Sequence, residues 1–448
     1  MSASSENHRA LAAFHRAALQ VPAYQTLLAE AGVDAATIRH GSDFARVPVL
    51  DKAATFQRFP IEQLCRDGRL GRLGSVLTSS GHSGLFAFGL TAADAQADAA
   101  HWIDGLLDLL FEVRTRPTLL INCLPMGVKV PTLACTLAET SVRPDMVVGL
   151  VRAFGAHYAQ LILVGEAAFL KHTLELGART CVDWRRHRVH LIAGEEPLAE
   201  NARKYLERFL GIDERQPDHA LVVSSMGVAE LGLNLFFEAP PRSALIRLRR
   251  RLHEDAELRH ALLGPTRWVP ALFIYDPRRI FVEFEPTGRL IVTMLDPSAV
   301  IPLIRYATGD HGRVLHLPPE LRPALEAAGV DWAELASFPL VAIDGRGEHV
   351  LAGGTAIYPE AVKEGIYHDP ALAALTTANF RLAGGAERAR VRLQLSPGVA
   401  ASPQLAERFR NALVPYTGPL VEVSCEAYES FGDGMALDYE RKFPYLAR

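Results

Sequence analysis

The sequence is poor in the features that define several classes of protein. Its cysteines are scattered and odd in number, and none forms a C-x-x-C pair; they are Cys65, Cys123, Cys135, Cys181 and Cys425. This usage fits a reduced, intracellular protein better than a secreted disulfide framework. No uncharged apolar run approaches the roughly 18 residues of a membrane span, and the N-terminal segment lacks the apolar core of a signal peptide. We therefore predict a soluble cytoplasmic protein with no membrane partner.

An excess of positive charge is missing as well. The chain carries 47 lysines and arginines against 51 aspartates and glutamates, which gives a formal net charge of −4. Because a dedicated nucleic-acid binder presents a basic surface, this balance predicts no nucleic-acid partner. The chain has 448 residues, of which 49% are hydrophobic and 22% charged. This composition is typical of a globular protein with about two to three domains.

The order of the hydrophobic patterns predicts an α/β protein. Short amphipathic helices occupy the first 70 residues, and strands alternate with helices between Pro117 and Ile192. Such alternation indicates a mainly parallel sheet covered on both faces. Between Ala271 and Ile304, short strands and tight turns predict an antiparallel or barrel-like subdomain. Thr91, followed by Asp94, predicts a capping box at a helix start.

The last hundred residues predict a smaller α+β unit. Helices are expected at Pro359–Tyr367 and Gln404–Leu413, and strands near Leu375–Leu382, Ala389–Leu395 and Leu420–Cys425. The polar, glycine-rich stretch 344–348 precedes this unit. We therefore predict a large N-terminal α/β domain with mixed sheets (1–343), a hinge (344–348) and a small C-terminal α+β lid domain (349–448).

A loop rich in hydroxyl groups and glycine lies between two predicted strands. It reads Thr78-Ser79-Ser80-Gly81-His82-Ser83-Gly84. Glycine lets backbone N–H groups converge, and hydroxyls add donors, so such a loop can hold phosphate oxygens. It has no G-K-[ST] and therefore is not a Walker motif. A plain Ser/Gly hairpin loop explains the same residues.

Three further polar positions carry chemistry in combination. Glu230 lies in the segment Ser224–Glu230 that follows the predicted strand Ala220–Val223, and a single carboxylate there suits Mg²⁺ that is also bound by phosphate oxygens. Asp310 follows Thr308-Gly309, where a carboxylate can accept two vicinal hydroxyls. Lys442 lies near the C-terminus. A helix-opening glutamate, a turn aspartate and a surface lysine are the corresponding plain interpretations.

These motifs occur in the order found in one family. The chain resembles the adenylate-forming enzymes (acyl-CoA synthetases, adenylation domains and luciferases), and within them the phenylacetate-CoA ligase branch, from about Ala23 to its end. The segments that carry the resemblance are Ser79–Gly84, Ala193-Gly194-Glu195-Glu196-Pro197, Gly227–Glu230, Tyr306-Ala307-Thr308-Gly309-Asp310, Gly345-Arg346-Gly347-Glu348 and Gly353–Pro359.

The resemblance implies a two-step reaction. A carboxylate attacks the α-phosphate of ATP to give an acyl-adenylate and pyrophosphate, and a nucleophile, most often the thiol of coenzyme A, then takes the acyl group. The family branch suggests an aryl or other small organic acid as substrate. The implied cofactors are ATP and Mg²⁺, with coenzyme A as co-substrate. The expected assembly is a monomer or a homodimer.

The resemblance also implies roles for individual residues. Lys442 would stabilise charge during adenylation, Glu230 would bind Mg²⁺, Asp310 would hold the ribose, and Arg346 the ribose or the hinge. The C-terminal domain would rotate about Glu348. Residues implied to bind ATP are Thr78, Ser79, Ser80, Gly81, His82, Ser83, Gly84, Gly194, Glu195, Glu196, Pro197, Met226 and Gly227. Either an acyl pocket or an apolar core strand explains the residues that follow Glu230, which are Leu233, Leu235, Phe236 and Phe237; of these, Leu233 and Phe236 are the predicted pocket residues.

The chain departs from the family pattern at the loop and near Glu230. His82 replaces a usual threonine, and Leu85-Phe86 replaces a frequent Lys-Pro, so the loop lacks its cation. Met226 takes the place of an aromatic ring beside the adenine. These changes leave two alternatives open: adenylation followed by amide, ester or heterocycle formation without coenzyme A, and a non-catalytic nucleotide- or acyl-binding protein.

A basic run outside these motifs is predicted to be a solvated helix face. It reads Arg247-Leu248-Arg249-Arg250-Arg251 and is followed by the acidic residues Glu254, Asp255 and Glu257. Mixed charges of this kind usually face water. An attraction for an anionic acceptor, such as a coenzyme A phosphate, is the alternative.

Overall fold

The computed structural model describes residues 3–79, 85–125, 127–216, 218–238, 244–431 and 443–447, with side chains described from residue 6. It confirms the predicted α/β class, with mixed sheets followed by a smaller α+β unit. None of the helices in these ranges has an apolar stretch that could span a bilayer. The domain boundaries predicted above stay a prediction.

The α-helices begin before the first strand and continue to the C-terminal unit. In chain order they are α1 (Ala3–Gln20), α2 (Pro22–Glu30), α3 (Ile61–Leu64), α4 (Gln96–Phe111), α5 (Pro144–Phe154), α6 (Ala167–Arg179), α7 (Glu200–Leu210), α8 (Ala244–Glu254), α9 (Ala256–Leu263), α10 (Arg322–Ala327), α11 (Trp332–Leu335), α12 (Pro359–Ile366), α13 (Pro370–Ala373) and α14 (Pro403–Thr417).

The strands form one large sheet and three small ones. In chain order they are β1 (Leu73–Thr78), β2 (Phe88–Ala92), β3 (Thr118–Asn122), β4 (Thr136–Glu139), β5 (Gln160–Gly165), β6 (Val189–Ala193), β7 (Val222–Val228), β8 (Gly232–Phe237), β9 (Ala271–Ile274), β10 (Ile280–Phe284), β11 (Arg289–Met294), β12 (Tyr306–Val314), β13 (Leu340–Gly345), β14 (Val350–Ala352), β15 (Thr355–Ile357), β16 (Thr376–Ala383), β17 (Ala389–Leu395) and β18 (Val421–Glu426).

The large sheet has eleven strands in the order β10-β11-β12-β13-β9-β8-β7-β6-β5-β3-β4. Strands β4, β3, β5, β6 and β7 are parallel, as predicted. The remaining strands are antiparallel. Antiparallel pairing at 271–304 is confirmed, but the barrel-like alternative is wrong, because these strands belong to the large sheet, in which β7 pairs with β6 on one side and β8 on the other.

The predicted capping box at Thr91 is also wrong. Thr91 lies in β2 and pairs with Ser75 of β1. A short 3₁₀ turn, Ala93–Ala95, separates that strand from α4, which starts at Gln96 without a side-chain cap. Thr91 therefore belongs to the strand ladder, and Ala95 occupies the N-cap position of α4.

The C-terminal unit runs from α12 to β18 and matches its prediction. Its sheet has the order β16-β17-β18, and α12 packs on α14. Along β17, Arg390 and Arg392 are exposed while Val391 and Leu393 are buried, so the strand has one wet and one core face. One apolar cluster includes residues of this unit and of α5, α6 and α7, which means that the unit is packed firmly on the large sheet's helices.

Candidate active site

A cleft with a volume of about 170 Å³ opens where β5, β6 and β7 end. Ligands of open α/β sheets bind at such strand ends. The predicted site residues on its wall are Thr78, Ser79, Gly194, Glu195, Gly227, Glu230, Leu233 and Arg346. Segments separated by more than two hundred positions in the sequence therefore meet in one cleft.

Glu230 is the buried carboxylate of this cleft. Only 3% of the residue is exposed. Its Oε1 accepts a 2.7 Å hydrogen bond from the hydroxyl of Tyr306 and lies 3.7 Å from Nζ of Lys52. Its Oε2 is buried without a hydrogen-bond partner among the described residues. A buried carboxylate oxygen with no donor costs free energy unless a ligand pairs with it.

Tyr306 keeps Glu230 in place as a neutral phenol. Burial and the adjacent Glu230 charge raise the pKa of Tyr306 well above its usual value. The hydroxyl therefore stays protonated and donates to Oε1 at any physiological pH. This leaves Oε2 as the oxygen available to a cation.

Lys52 is a cleft residue that the sequence motifs did not reveal. It lies on the cleft wall near Glu230 and is partly exposed. It is held there because Leu50 pairs with β12: the Leu50 amide donates to the Arg305 carbonyl at 3.0 Å, and Ala307 donates to Leu50 at 2.8 Å. Nothing in the local sequence announces this position, since the pairing joins residues about 250 positions apart.

The predicted phosphate loop has its two ends tied together. The Ser79 amide donates to the Ala87 carbonyl at 2.9 Å, and the Ala87 amide donates to Ser79 Oγ at 2.9 Å. The strand after the loop lies directly against the Glu230 segment, because a Cβ on Gly89 would collide with the Ala229 carbonyl oxygen. The base of the loop is thus fixed beside Glu230.

Asp310 and Arg346 form an ion pair beside the cleft residue Thr308. Arg346 Nε lies 3.3 Å from Asp310 Oδ1, and its Nη1 donates to the Thr308 carbonyl at 3.1 Å. Asp310 is 7% exposed, and Thr308 and Arg346 both line the cleft. Gly309, which lies between Thr308 and Asp310, has a φ of 85°, which a residue with a side chain would adopt only with strain. The turn therefore presents a carboxylate and a guanidinium together.

Some predicted site residues lie elsewhere. Phe236 is fully buried and packs against Tyr275 in the core, and Phe237 takes the position on the cleft wall instead. Met226 packs against the same core. Consecutive side chains of a strand point to opposite faces, so Phe237 faces the cleft because its neighbour Phe236 faces the core.

Glu196 faces the C-terminal unit. Its Oε2 accepts hydrogen bonds from Lys363 Nζ at 2.6 Å and from the Tyr445 hydroxyl at 3.0 Å. Pro197 follows it and is not on the described cleft wall. Glu348, the predicted hinge residue, is exposed after β13. Ser80, Gly81, His82, Ser83, Gly84 and Lys442 lie outside the described residues.

The basic run on α8 is buried in part, which corrects the prediction of a solvated face. Arg249 is 1% exposed, and its Nη1 lies 3.6 Å from Glu200 and 3.5 Å from Glu238. Arg250 pairs with Glu207 at 2.9 Å. Helix α8 packs on α7 and β9, so these arginines neutralise carboxylates that the fold buries.

The described residues contain no cluster of three or more His, Cys, Asp or Glu side chains that could hold a metal ion. One buried carboxylate oxygen without a donor, Glu230 Oε2, is present at the cleft. Magnesium is often bound by one or two carboxylates together with phosphate oxygens and water. Glu230 therefore fits a Mg²⁺ ion that arrives with a nucleotide.

The whole chain is similar to solved acyl-CoA ligase structures. 2-Hydroxyisobutyryl-CoA ligase in the postadenylation state, in complex with 2-HIB-AMP, matches 99% of this chain and 88% of its own at 16% identity and a TM-score of 0.68. The same ligase in the thioesterification state, with 2-HIB-AMP and CoA, matches 100% and 90% at 16% identity and a TM-score of 0.54. No family model matches the sequence, and no curated protein is significantly similar to it. At this identity the likeness shows a shared fold.

Proposed function

We propose that this chain, which has the fold of the adenylate-forming acyl-CoA ligases, activates a carboxylic acid with ATP and transfers the acyl group to coenzyme A. The observation that carries the proposal is the cleft itself. It combines a buried carboxylate with an unpartnered oxygen, Glu230, a lysine, Lys52, and the Asp310–Arg346 pair. Closer kinship with phenylacetate-CoA ligases stays a prediction.

The triphosphate would lie between Lys52 and the loop that starts at Thr78 and Ser79. Lys52 supplies the cation that the loop sequence lacks, and its ammonium group lies at the Glu230 end of the cleft. Asp310 would accept hydrogen bonds from the ribose hydroxyls, while Arg346 keeps that carboxylate oriented. These charges are placed before the substrate arrives, which is the arrangement that lowers barriers most effectively.

Glu230 would hold Mg²⁺ through Oε2, and the ion would neutralise phosphate charge when bound. The hydrogen bond from Tyr306 fixes the carboxylate so that Oε2 keeps facing its ligand. Two anions, the carboxylate of the acid and the triphosphate, must approach each other in this reaction. Lys52 and Arg346 reduce their repulsion.

In the first step, a carboxylate oxygen bonds to the α-phosphorus and pyrophosphate leaves. In the second step, the thiolate sulfur bonds to the acyl carbon and AMP leaves, while the thiol proton passes to solvent. Lys442 would stabilise charge in the first step, and the C-terminal unit would turn about Glu348 between the steps. Transfer to coenzyme A is supported by the related ligase, which was solved with CoA bound.

The test is ATP–pyrophosphate exchange with a mixed pool of acids, followed by mass spectrometry of the products with and without coenzyme A. We expect exchange that depends on acid and Mg²⁺, an acyl-adenylate without coenzyme A and a thioester with it. Exchange without any thioester would replace coenzyme A by an amine or hydroxyl acceptor. Nucleotide binding without exchange would favour the non-catalytic alternative.

Lys52 offers a sharp control for the site. Lys52→Ala should lower exchange by about 10²–10³, because a preplaced donor to phosphate is lost. Lys204→Ala serves as the matched variant, since Lys204 pairs with Glu254 on the helices away from the cleft. Equal activity of the two variants would remove Lys52 from the mechanism.

A further inference from the structure

Beyond its polar edge, the cleft continues into an apolar half. Four α4 side chains at helical spacing i, i+3, i+4 and i+7 lie on its wall: Ile103, Leu106, Leu107 and Leu110. Because residues three and four apart share one helix face, a single stripe of α4 forms this wall. Val164 and Ile192, near the ends of β5 and β6, and Val223, near the start of β7, lie on the wall as well.

This apolar half is held open by buried polar anchors. Asn122 donates from Nδ2 to the Val128 carbonyl at 2.7 Å and accepts from the Leu124 amide at 3.1 Å; Val128 and Leu124 both line the cleft. On α4, Asp104 accepts from the amides of Leu133 and Ala134 at 2.9 and 3.1 Å. The side chains of Asn122 and Asp104 are both buried. These hydrogen bonds therefore fix the position of the segments that form the walls.

The positive charges on the described cleft wall belong to Lys52, beside Glu230, and to Arg346, beside Thr308. The described carboxylates on the wall are Glu195, Glu230 and Glu238, and both oxygens of Glu238 accept from Arg203 Nη2, at 2.7 and 2.8 Å. Arg249 lies 3.5 Å from the same carboxylate. A second charge on a substrate would therefore lose its hydration without gaining a partner.

Its lining is also aliphatic rather than aromatic. Phe237 supplies the aromatic ring among the described wall residues, and the α4 stripe and the strand ends supply leucine, isoleucine and valine. Aryl ligands gain from offset or edge-to-face contacts with aromatic rings, and Phe237 offers one such contact. Branched aliphatic walls give a flexible acyl chain dispersion contacts along its whole length.

From these observations we infer that the acid is aliphatic, with an uncharged hydrocarbon tail that lies along α4 while its carboxylate faces the Lys52 end of the cleft. This inference rests on the proposed function, whose acid it specifies. It replaces the aryl acid that the sequence resemblance suggested. Each methylene of the tail that the pocket buries should raise kcat/KM about fourfold, until the pocket is full.

The test is exchange with straight-chain acids from acetate to decanoate, together with benzoate, phenylacetate, adipate and leucine. We expect kcat/KM to rise with chain length and then fall, and adipate to react at least about 100-fold more slowly than hexanoate. Exchange that is fastest with the aryl acids would overturn the inference and leave the proposed function intact. Absence of exchange with every acid would end the proposed function instead.

Direct binding keeps the inference testable in that last case. Octanoate should raise the melting temperature of the full chain in the presence of AMP, and phenylacetate should raise it less. The opposite order, or no shift with octanoate, would overturn the inference whatever the exchange assay shows.

Two substitutions on α4 locate the tail. Leu106→Trp fills the pocket and should lower kcat/KM for octanoate at least about tenfold, with little effect on propionate. Leu109→Trp is the matched control, since Leu109 is exposed on the same helix. Equal effects of the two substitutions, or equal losses for octanoate and propionate, would show that the tail does not lie along α4.

Discussion

The sheet buries two glutamates that the protein treats in opposite ways. Glu238 is 2% exposed, and its oxygens accept from Arg203 and from the Ser224 amide at 2.7 Å. Glu230 is 3% exposed, and only one of its oxygens has a described donor. Both carboxylates are on the cleft wall, so burial alone does not distinguish them.

The difference lies in how completely each charge is compensated. Around Glu238, the arginines of α7 and α8 also neutralise Glu200: burial raises the pKa of Glu200, but Arg203, Arg249 and Arg250 outweigh it and lower that pKa to about 2. Such a network holds helices together and leaves neither oxygen of Glu238 without a donor. Glu230 retains an unused acceptor, which is the property expected of a binding residue.

The largest expected effect is on the compensated centre. Arg203→Ala would leave Glu200 and Glu238 buried with too few partners, so we expect the free energy of unfolding to fall by about 3–5 kcal/mol. Urea denaturation measures this. Replacing Glu238 by Gln in the same chain should recover part of the loss. Arg215→Ala is the control, because the Arg215–Asp213 pair is exposed, and it should leave the urea midpoint unchanged. If Arg203→Ala also left the urea midpoint unchanged, this result would contradict the structural role of the network.

The second prediction concerns the uncompensated centre. Glu230→Gln should lower ATP–pyrophosphate exchange by about 10²–10³ while leaving the melting temperature unchanged or slightly raised, since a buried charge is removed. Glu238→Gln should have the opposite pattern: it should lower the melting temperature and affect exchange less than Glu230→Gln does. If Glu230→Gln were less stable than Glu238→Gln, the contrast between the two sites would be wrong.

The same contrast explains what could be predicted from the sequence. Motifs such as Thr308-Gly309-Asp310 and the segment ending in Glu230 are local, so their positions in the chain identify them, and the structure brings both to one cleft. The pattern of parallel strands and the C-terminal unit were predictable for the same reason, because hydrophobic periodicity is local.

The missed residues depend on contacts between distant segments. Lys52 enters the cleft through the pairing of Leu50 with β12, and Arg249 is buried because α8 packs on α7. Glu196 stands in a local motif, but Lys363 of the C-terminal unit draws it away from the cleft wall. In each case tertiary pairing decides whether a charge is solvated, neutralised or available.

The third prediction tests a centre that joins the two parts of the chain. Glu364 of α12 accepts from the amides of Glu200 and Asn201 at 2.7 and 3.0 Å, so it caps α7, whose own N-cap residue gives no side-chain bond. Glu364→Ala should lower the free energy of unfolding by about 1–2 kcal/mol. It should also speed proteolysis around residues 344–348.

Glu407→Ala is the matched control for this cap, since Glu407 pairs with Arg410 on the exposed face of α14 in the same C-terminal unit. Proteolysis at the wild-type rate in both variants would mean that the cap does not fasten the C-terminal unit to α7.

The smallest expected effect is a pH dependence of stability. It should come from buried carboxylates whose charges are only partly compensated by neighbouring cations. Near the contact of Lys363 with Glu196, burial and, to a smaller extent, the charge of Glu196 raise the pKa of Glu166 and of Glu360 to about 7, although Lys363 opposes the rise. Asp344 also raises the pKa of Glu360. Each group therefore binds its proton more tightly in the folded chain than in the unfolded one.

Stability contributed by these two groups is full below pH of about 4.5 and is lost as the pH rises through 7. We expect the melting temperature to fall by a few degrees between pH 5 and 8 for this reason. Glu166→Gln and Glu360→Gln should each flatten the profile, because a neutral amide has no proton to lose, whereas Glu407→Gln should not. If the profiles of all three variants had equal slopes, Glu166 and Glu360 would not cause the pH dependence. Their charges would then be as fully compensated as those of the carboxylates in the arginine network.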